Sequence, residues 1–188
     1  MEIVRQVLNR IHPIDDKEWN YFKEKFKEKF VAPKTFLLTK GQIEKSVYFI
    51  KEGILRAWFE KADNELTFDF AFENNFYSAY SSFITQTPCQ YNVESITGMV
   101  IWEISRDDLQ DIYKNLSFGQ LFGRYAAEDL FVLKCKKEFS LLFKSAEERY
   151  KDLFLEEPRL IKEIPLKYIA SYIGVTPQAL SRIRKRIS

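Results

Sequence analysis

The chain has 188 residues, 46% of them hydrophobic and 30% charged, with a formal net charge of +2. That length bounds it to one large domain or an ordinary domain plus a small one, and the composition excludes a disordered or low-complexity chain. No apolar run approaches the roughly 18–20 residues of a membrane span, and "MEIVRQVLNRIHPIDD" lacks the basic–apolar–small order of a signal peptide, so a cytoplasmic location is expected.

The first thirty residues read as helical. In "DDKEWNYFKEKFKEKF" Trp19, Phe22, Phe26 and Phe30 recur at steps of three, four and four. That is one apolar stripe, with lysines and glutamates on the other face. Asp15 with Glu18 three residues on marks a helix start. From Lys34 to Ile104 the period shortens to two. "VYFI", "ILRAWF" and "LTFDFAF" are short runs rich in β-branched and aromatic residues. In the third, Leu66, Phe68 and Phe70 alternate with Thr67, Asp69 and Ala71. Turn signals separate the runs: "KGQ" at Gly41, "KEG" at Gly53, "KADNE" around Asn64 and "ENN" at Asn74. "NVESITGMVIWEI" adds a last pair of strands around Gly98. Strands at this spacing predict a sandwich or barrel.

From Arg106 to about Phe143 the period is helical again. Phe118 to Phe143 contains no proline and would span about 39 Å as a helix. Phe122, Tyr125, Asp129, Val132, Lys136, Phe139 and Phe143 form a seam with alternating steps of three and four. Leu121, Phe131, Leu133 and Leu142 lie off it. Two readings stay open: a buried core helix, or a helix that pairs with a second copy on one face and packs on its own domain with the other. Gly119 and Gly123 lower helix propensity at its start. Ser145 and Glu148 then make a capping box in "SAEERY", which leaves Phe143–Ser145 as a candidate hinge.

From Pro165 onward there are five basic residues (Lys167, Arg182, Arg184, Lys185, Arg186) and no acidic one. Two short helices are predicted there, the first at about Leu166 to Ile173. Gly174 permits the left-handed turn that ends it. Thr176 caps the second, with Pro177 at its first position. A small residue, Ala170, is followed by Gly174 four residues later and by the apolar Leu180 and Ile183 ten and thirteen residues on. That order is the helix-turn-helix. The other face of the second helix carries Gln178, Arg182 and Lys185. Gln can bridge adenine, Arg can bridge guanine and Lys neutralises phosphate. Thr176 and Ser181 suit phosphate oxygens. The competing reading is a solvated cationic face on a helical hairpin.

Two cysteines, Cys89 and Cys135, are too few for a disulfide framework or a four-thiolate metal site. They are expected as reduced thiols. His12 is the single histidine. Catalytic His triads, HExxH zinc sites and most haem ligation therefore lack their residues. No GxGxxG or GKS/T phosphate loop occurs. An enzyme is not expected, and no catalytic or metal residue is assigned.

The order of helical lead, β-roll, long helix and helix-turn-helix resembles the cyclic-AMP receptor protein and FNR (Crp/Fnr) family of bacterial transcription regulators. The carriers are "KGQ" before a strand, "VYFIKEGILRAWF" across a Gly turn, the long helix, "SAEERYKDLF" and "IPLKYIASYIGVTPQALSRIRK". The resemblance implies an α+β chain. Residues 1–116 would form a jelly-roll-like cyclic-nucleotide-binding sensor domain, 117–143 a dimerisation helix and 144–188 a helix-turn-helix DNA-binding domain. Thr176, Gln178, Ser181, Arg182 and Lys185 would be its DNA-binding residues, with Gln178 and Arg182 reading bases. The implied partners are double-stranded DNA, a second copy through the long helix, and RNA polymerase.

Two departures bear on function. Cyclic-nucleotide binders of the family carry a phosphate cassette, Gly-Glu followed about ten residues later by Arg-Ser or Arg-Thr. Here Ser78 and Ala79 fall at the first pair and Cys89 and Gln90 at the second. The nearest basic residues in sequence are Lys61 and Arg106. A buried phosphate without a cation is costly, so no cAMP or other cofactor is expected and the effector is unknown. The pocket is either filled by its own aromatics (Phe76, Tyr77, Tyr80, Phe83, Tyr91) or takes a less charged ligand. Second, the sequence ends at Ser188, where the family usually adds a two-stranded wing. That leaves an alternative function: a ligand-sensing or protein-interaction module whose helix-turn-helix no longer reads DNA.

Overall fold

In the computed structural model, residues 1–61, 64–156 and 158–187 are described. The order is α1 (Glu2–Ile11), α2 (Asp16–Glu24), β1 (Lys27–Val31), β2 (Phe36–Leu38), β3 (Ser46–Glu52), β4 (Leu55–Lys61), β5 (Asn64–Ala71), β6 (Phe76–Tyr77), α3 (Tyr80–Thr85), β7 (Asn92–Ser95) and β8 (Met99–Ser105). Among the described residues six helices follow: α4 (Arg106–Asn115), α5 (Gly119–Phe143), α6 (Ala146–Glu156), α7 (Pro158–Glu163), α8 (Leu166–Tyr172) and α9 (Pro177–Ile187). The chain divides into two compact units, residues 1–56 with 70–129, and residues 57–69 with 130–188. The turn expected at "KADNE" falls partly on Ala62 and Asp63, and the wing argument on Ser188; these positions lie outside the described residues.

Asp15 caps α2 by accepting from the Glu18 amide at 2.7 Å, as its spacing predicts. The helix stops at Glu24, however, so the first thirty residues are not helical throughout. Lys27 to Val31 instead pair antiparallel with β8, from Lys27↔Glu103 to Val31↔Met99. The ladder satisfies the backbone of a segment whose side chains favour a helix, so tertiary pairing overrides local propensity. Phe30 consequently leaves the stripe and is 81% exposed, while Trp19 and Phe22 stay buried.

Two antiparallel-type sheets form the roll, in the orders β1-β8-β3-β6 and β2-β7-β4-β5. The strands flanking Gly98, β7 and β8, therefore pair in different sheets rather than with each other. In the first sheet Val47, Phe49, Phe76, Trp102 and Ile104 share the helix-facing side. They pack with Val4, Leu8, Trp19 and Phe22 of the leading helices and with Phe83, Leu109, Ile112, Phe118 and Phe122. Strand alternation turns Tyr48, Ile50, Tyr77 and Ile101 to the other side. Gly119 opens α5 against α4: a Cβ there would lie 2.2 Å from the Ile112 carbonyl oxygen. Its low helix propensity is thus the consequence of a close backbone approach.

Arg56 has no exposed surface, and its Nη1 meets Glu94 Oε1 at 2.8 Å. Removing one member of a buried ion pair is strongly destabilising. Glu94→Ala should therefore cost about 3–5 kcal/mol in urea unfolding; a loss under about 1 kcal/mol would put the pair in the class of surface bridges.

Candidate nucleic-acid interface

The C-terminal helices close a small core from α6 to α9. Tyr150, Leu153, Leu160, Ile164, Ile169, Ala170, Ile173, Leu180 and Ile183 are all buried. The capping box at Ser145 forms in both directions: the Ser145 amide donates to Glu148 Oε2 at 2.7 Å, and the Glu148 amide donates to Ser145 Oγ at 3.2 Å. Among the helices that follow, α8 ends one residue earlier than its pattern suggests, with Ile173 as its C-cap.

Gly174 makes the turn. Its φ is +78°, in the left-handed region that glycine enters without steric penalty. The Val175 amide donates back to the Ala170 carbonyl at 2.9 Å, and the Gly174 amide to the Ser171 carbonyl at 3.1 Å. Together these bonds close the end of α8 in the manner of a glycine C-cap. Arg149 adds a second closure that the sequence pattern does not announce. Its guanidinium donates twice to the Ile173 carbonyl, at 3.0 and 2.8 Å, and once to the Lys144 carbonyl. A cation at the negative end of a helix is favourable. At the far side of the turn, Thr176 Oγ1 accepts from the Ala179 amide at 3.2 Å and Pro177 is the first residue of α9.

Thr176, Gln178, Ser181, Arg182 and Lys185 are all exposed, while Leu180 and Ile183 of the same helix are buried. The basic residues of the tail divide. Arg186 turns to α6 and pairs with Glu147 at 3.1 Å. Arg184 borders a groove of about 480 Å³ beside Tyr150, Phe154, Leu155 and Ile187. Arg182 and Lys185 remain on the outward face with Gln178.

Along α5 only Gly119 and Phe122 are buried, which overturns the reading as a buried core helix. Tyr125, Val132, Phe139 and Phe143 of the seam are exposed, Phe143 by 82%. Phe131, Leu133 and Leu142 are exposed as well.

The cassette positions close on the chain itself. Ser78 Oγ donates to the Ser46 carbonyl at 3.0 Å. Ala79 is fully buried, and its amide points at Glu44 Oε2, 3.5 Å away. Cys89 is buried, with its thiol directed to the Tyr91 carbonyl at 3.4 Å, and exposed Gln90 bonds the Pro88 carbonyl. Glu44 was not singled out by sequence, because a lone acid in a loop carries no signal. Its Oε1 accepts from the Lys45 and Ser46 amides, each at 3.0 Å, and from the Tyr48 hydroxyl at 3.2 Å. Burial pushes the Glu44 carboxyl above its ordinary value, against the pull of the Ser46 and Ala79 amides. Burial also raises Tyr48 and the Cys89 thiol, each further raised by Glu44. Every shift here disfavours negative charge. Of the aromatics that one of the two readings placed in the pocket, Phe83 joins the helix-side core and Phe76 and Tyr80 pack against it; Phe76 stacks edge-on against Phe49 and Phe122.

Residues 28–115 match the cyclic nucleotide-binding domain family. The matched stretch lies in a chain whose fold is that of solved Crp/Fnr-type regulators. FixK2 from Bradyrhizobium japonicum superposes with a TM-score of 0.74 at 15% identity, over 86% of this chain and 84% of that one. A transcriptional regulator assigned to the Crp/Fnr family from Eubacterium rectale gives 0.69 at 16%, over 93% and 83%. CLP from Xanthomonas campestris, described as a c-di-GMP responsive global regulator, gives 0.66 at 16%, over 92% and 91%. No curated protein matches the sequence. The mixed α+β Crp/Fnr-type architecture read from the sequence is the one observed. Among the described residues no helix is long and apolar enough to cross a membrane.

A Cβ at position 174 would meet nothing closer than Arg149 Nη2 at 3.7 Å. Gly174→Ala should thus lose stability through backbone strain alone, by about 1–2 kcal/mol. Urea unfolding measures it; an unchanged midpoint would show that the turn tolerates an L-residue.

Proposed function

We propose that the chain is a dimeric, sequence-specific DNA-binding transcription regulator that does not respond to cAMP. The observation that carries this reading is the outward face of α9, where Gln178, Arg182 and Lys185 are exposed above a buried Leu180–Ile183 seam. Such a face enters the major groove with a bidentate donor for guanine, an amide for adenine and a cation for phosphate. The exposed apolar seam of α5 supports a dimer, because single soluble chains rarely leave so long an apolar stripe to water. Two recognition helices then read half-sites about 34 Å apart.

Arg182→Ala and Gln178→Ala are expected to lose discrimination between a selected operator and a scrambled one, at about 1–3 kcal/mol each. Lys185→Ala weakens both DNAs alike. With about three phosphates neutralised per subunit the salt slope is roughly −5, and Lys185→Ala lowers its magnitude by about 2, one contact in each subunit. Gel retardation across a salt series reads both effects. A wild-type chain with no preference in a random-oligonucleotide selection, or a monomer by light scattering at micromolar concentration, would defeat the proposal.

For the sensor roll, a cyclic phosphate at the cassette would lie among Glu44, Tyr48 and Cys89, all groups held away from negative charge. Calorimetric titration with cAMP should show no binding in the micromolar range; heat with micromolar affinity would contradict this. The effector question stays separate from cAMP, since CLP shares the fold and is described as c-di-GMP responsive.

A further inference from the structure

The helices that close the C-terminal core leave a groove unfilled between α6, α7 and α9. It has a volume of about 480 Å³ and lies wholly within the unit of residues 57–69 and 130–188. On α6, Tyr150 and Leu153 turn into the core and are buried. Phe154 and Leu155 follow directly, turn away from the core, and are 60% and 77% exposed. Pro158 then opens α7, at the helical position where its missing amide costs no hydrogen bond. Ile161 of α7 and Ile187 of α9 complete the wall. Apolar side chains from three helices thus line a space that the chain itself does not fill.

The charged groups lining this space are cations. Lys151 stands one turn before Leu155 on α6, and Arg184 one turn before Ile187 on α9. No acidic side chain lines the groove among the described residues. The acid that Lys151 meets, Glu147 at 3.0 Å, is shared with Arg186 at 3.1 Å, so one negative charge faces two positive ones. Arg184 and Ile187 lie off the Gln178–Arg182–Lys185 row of α9. An occupant of the groove therefore leaves that row exposed.

Size separates the classes of occupant. A stable protein partner engages about 20–30 residues on each side, whereas seven described residues line this groove. Its volume falls within the roughly 300–1,000 Å³ of small-molecule sites, which are likewise mostly apolar with a few orienting polar groups. Charge then fixes the sign. We propose that the groove is a binding site for a small apolar carboxylate, an acid with an alkyl or aryl body. The body lies along Phe154, Leu155, Ile161 and Ile187 and removes their surface from water. The carboxylate meets Arg184, whose planar fork offers two parallel donors, with Lys151 as the second cation. Both cations are exposed, so the carboxylate keeps part of its hydration and avoids the cost of a buried charge. The site is distinct from the cassette of the roll and does not require that α9 reads DNA.

The test is calorimetric titration of the full chain at pH 7, free of DNA, with decanoate and with decylammonium, the same alkyl chain carrying the opposite charge. Decanoate should bind at sub-millimolar concentration, and decylammonium at least about tenfold more weakly. Arg184→Gln should weaken decanoate about tenfold, the equivalent of one charge-assisted hydrogen bond. Leu155→Glu sets a carboxylate in the wall and should abolish binding. An unchanged urea midpoint verifies its fold, and if the midpoint shifts, Arg184→Gln decides alone. Leu142→Ser, on the exposed apolar surface of α5 and outside the groove, should leave the affinity unchanged. Equal affinity for the two amphiphiles overturns the site. So does a decanoate affinity unmoved by Arg184→Gln and Leu155→Glu, or lost in Leu142→Ser. A smaller particle by light scattering in Leu155→Glu assigns the groove to contact between copies and overturns it as well. None of these outcomes depends on operator recognition, so failure of this site and failure of the DNA-binding reading are distinguishable.

Discussion

The left-handed backbone at Gly174 is the constraint on which the C-terminal half depends. Without a positive φ the chain would continue α8, and α9 could not cross it. With the turn in place Ala170, Leu180 and Ile183 are all buried, and Gln178, Arg182 and Lys185 are exposed. Glycine supplies the permitted angle, but it does not hold it. The holding comes from Arg149, whose guanidinium grips the Ile173 carbonyl from α6. One residue makes the bend available and another, a helix away, makes it rigid.

A second economy of charge governs the roll. Two of its buried ionisable groups come with partners built in. Arg56 comes with Glu94, and Glu44 comes with two backbone amides and a phenol. The fold class leaves room for an anion bound by a cation from the cassette. In this chain a buried cation on β4 pairs with an acid on β7. The roll keeps the shape of a nucleotide-binding domain while the electrostatics at the cassette run the other way.

What could be read in the sequence was local. The α8–turn–α9 arrangement showed because four constrained positions fall within fourteen residues, and each reports on its own turn or crossing. Asp15 and Ser145 showed for the same reason: a cap and its acceptor lie three residues apart. Phe30 misled because its spacing suits a helix, while β8, some seventy residues away in sequence, offers a better use of the backbone. Leu66 and Thr67 misled because alternation fixes two faces but not which of them is covered: Leu66 is 39% exposed and Thr67 2%. Glu44 and Arg149 carried no signal at all. Each is an ordinary charged residue whose role exists only once distant segments are brought together. Residue types that cap turns can be found by spacing; those that complete another segment's hydrogen bonds cannot.

The buried Glu44 side chain has one more implication. Its partners, the Ser46 amide and the Tyr48 hydroxyl, come from the strand that follows it. Deleting the carboxyl would leave both groups without this acceptor at once, so the residue belongs to the stability of the roll.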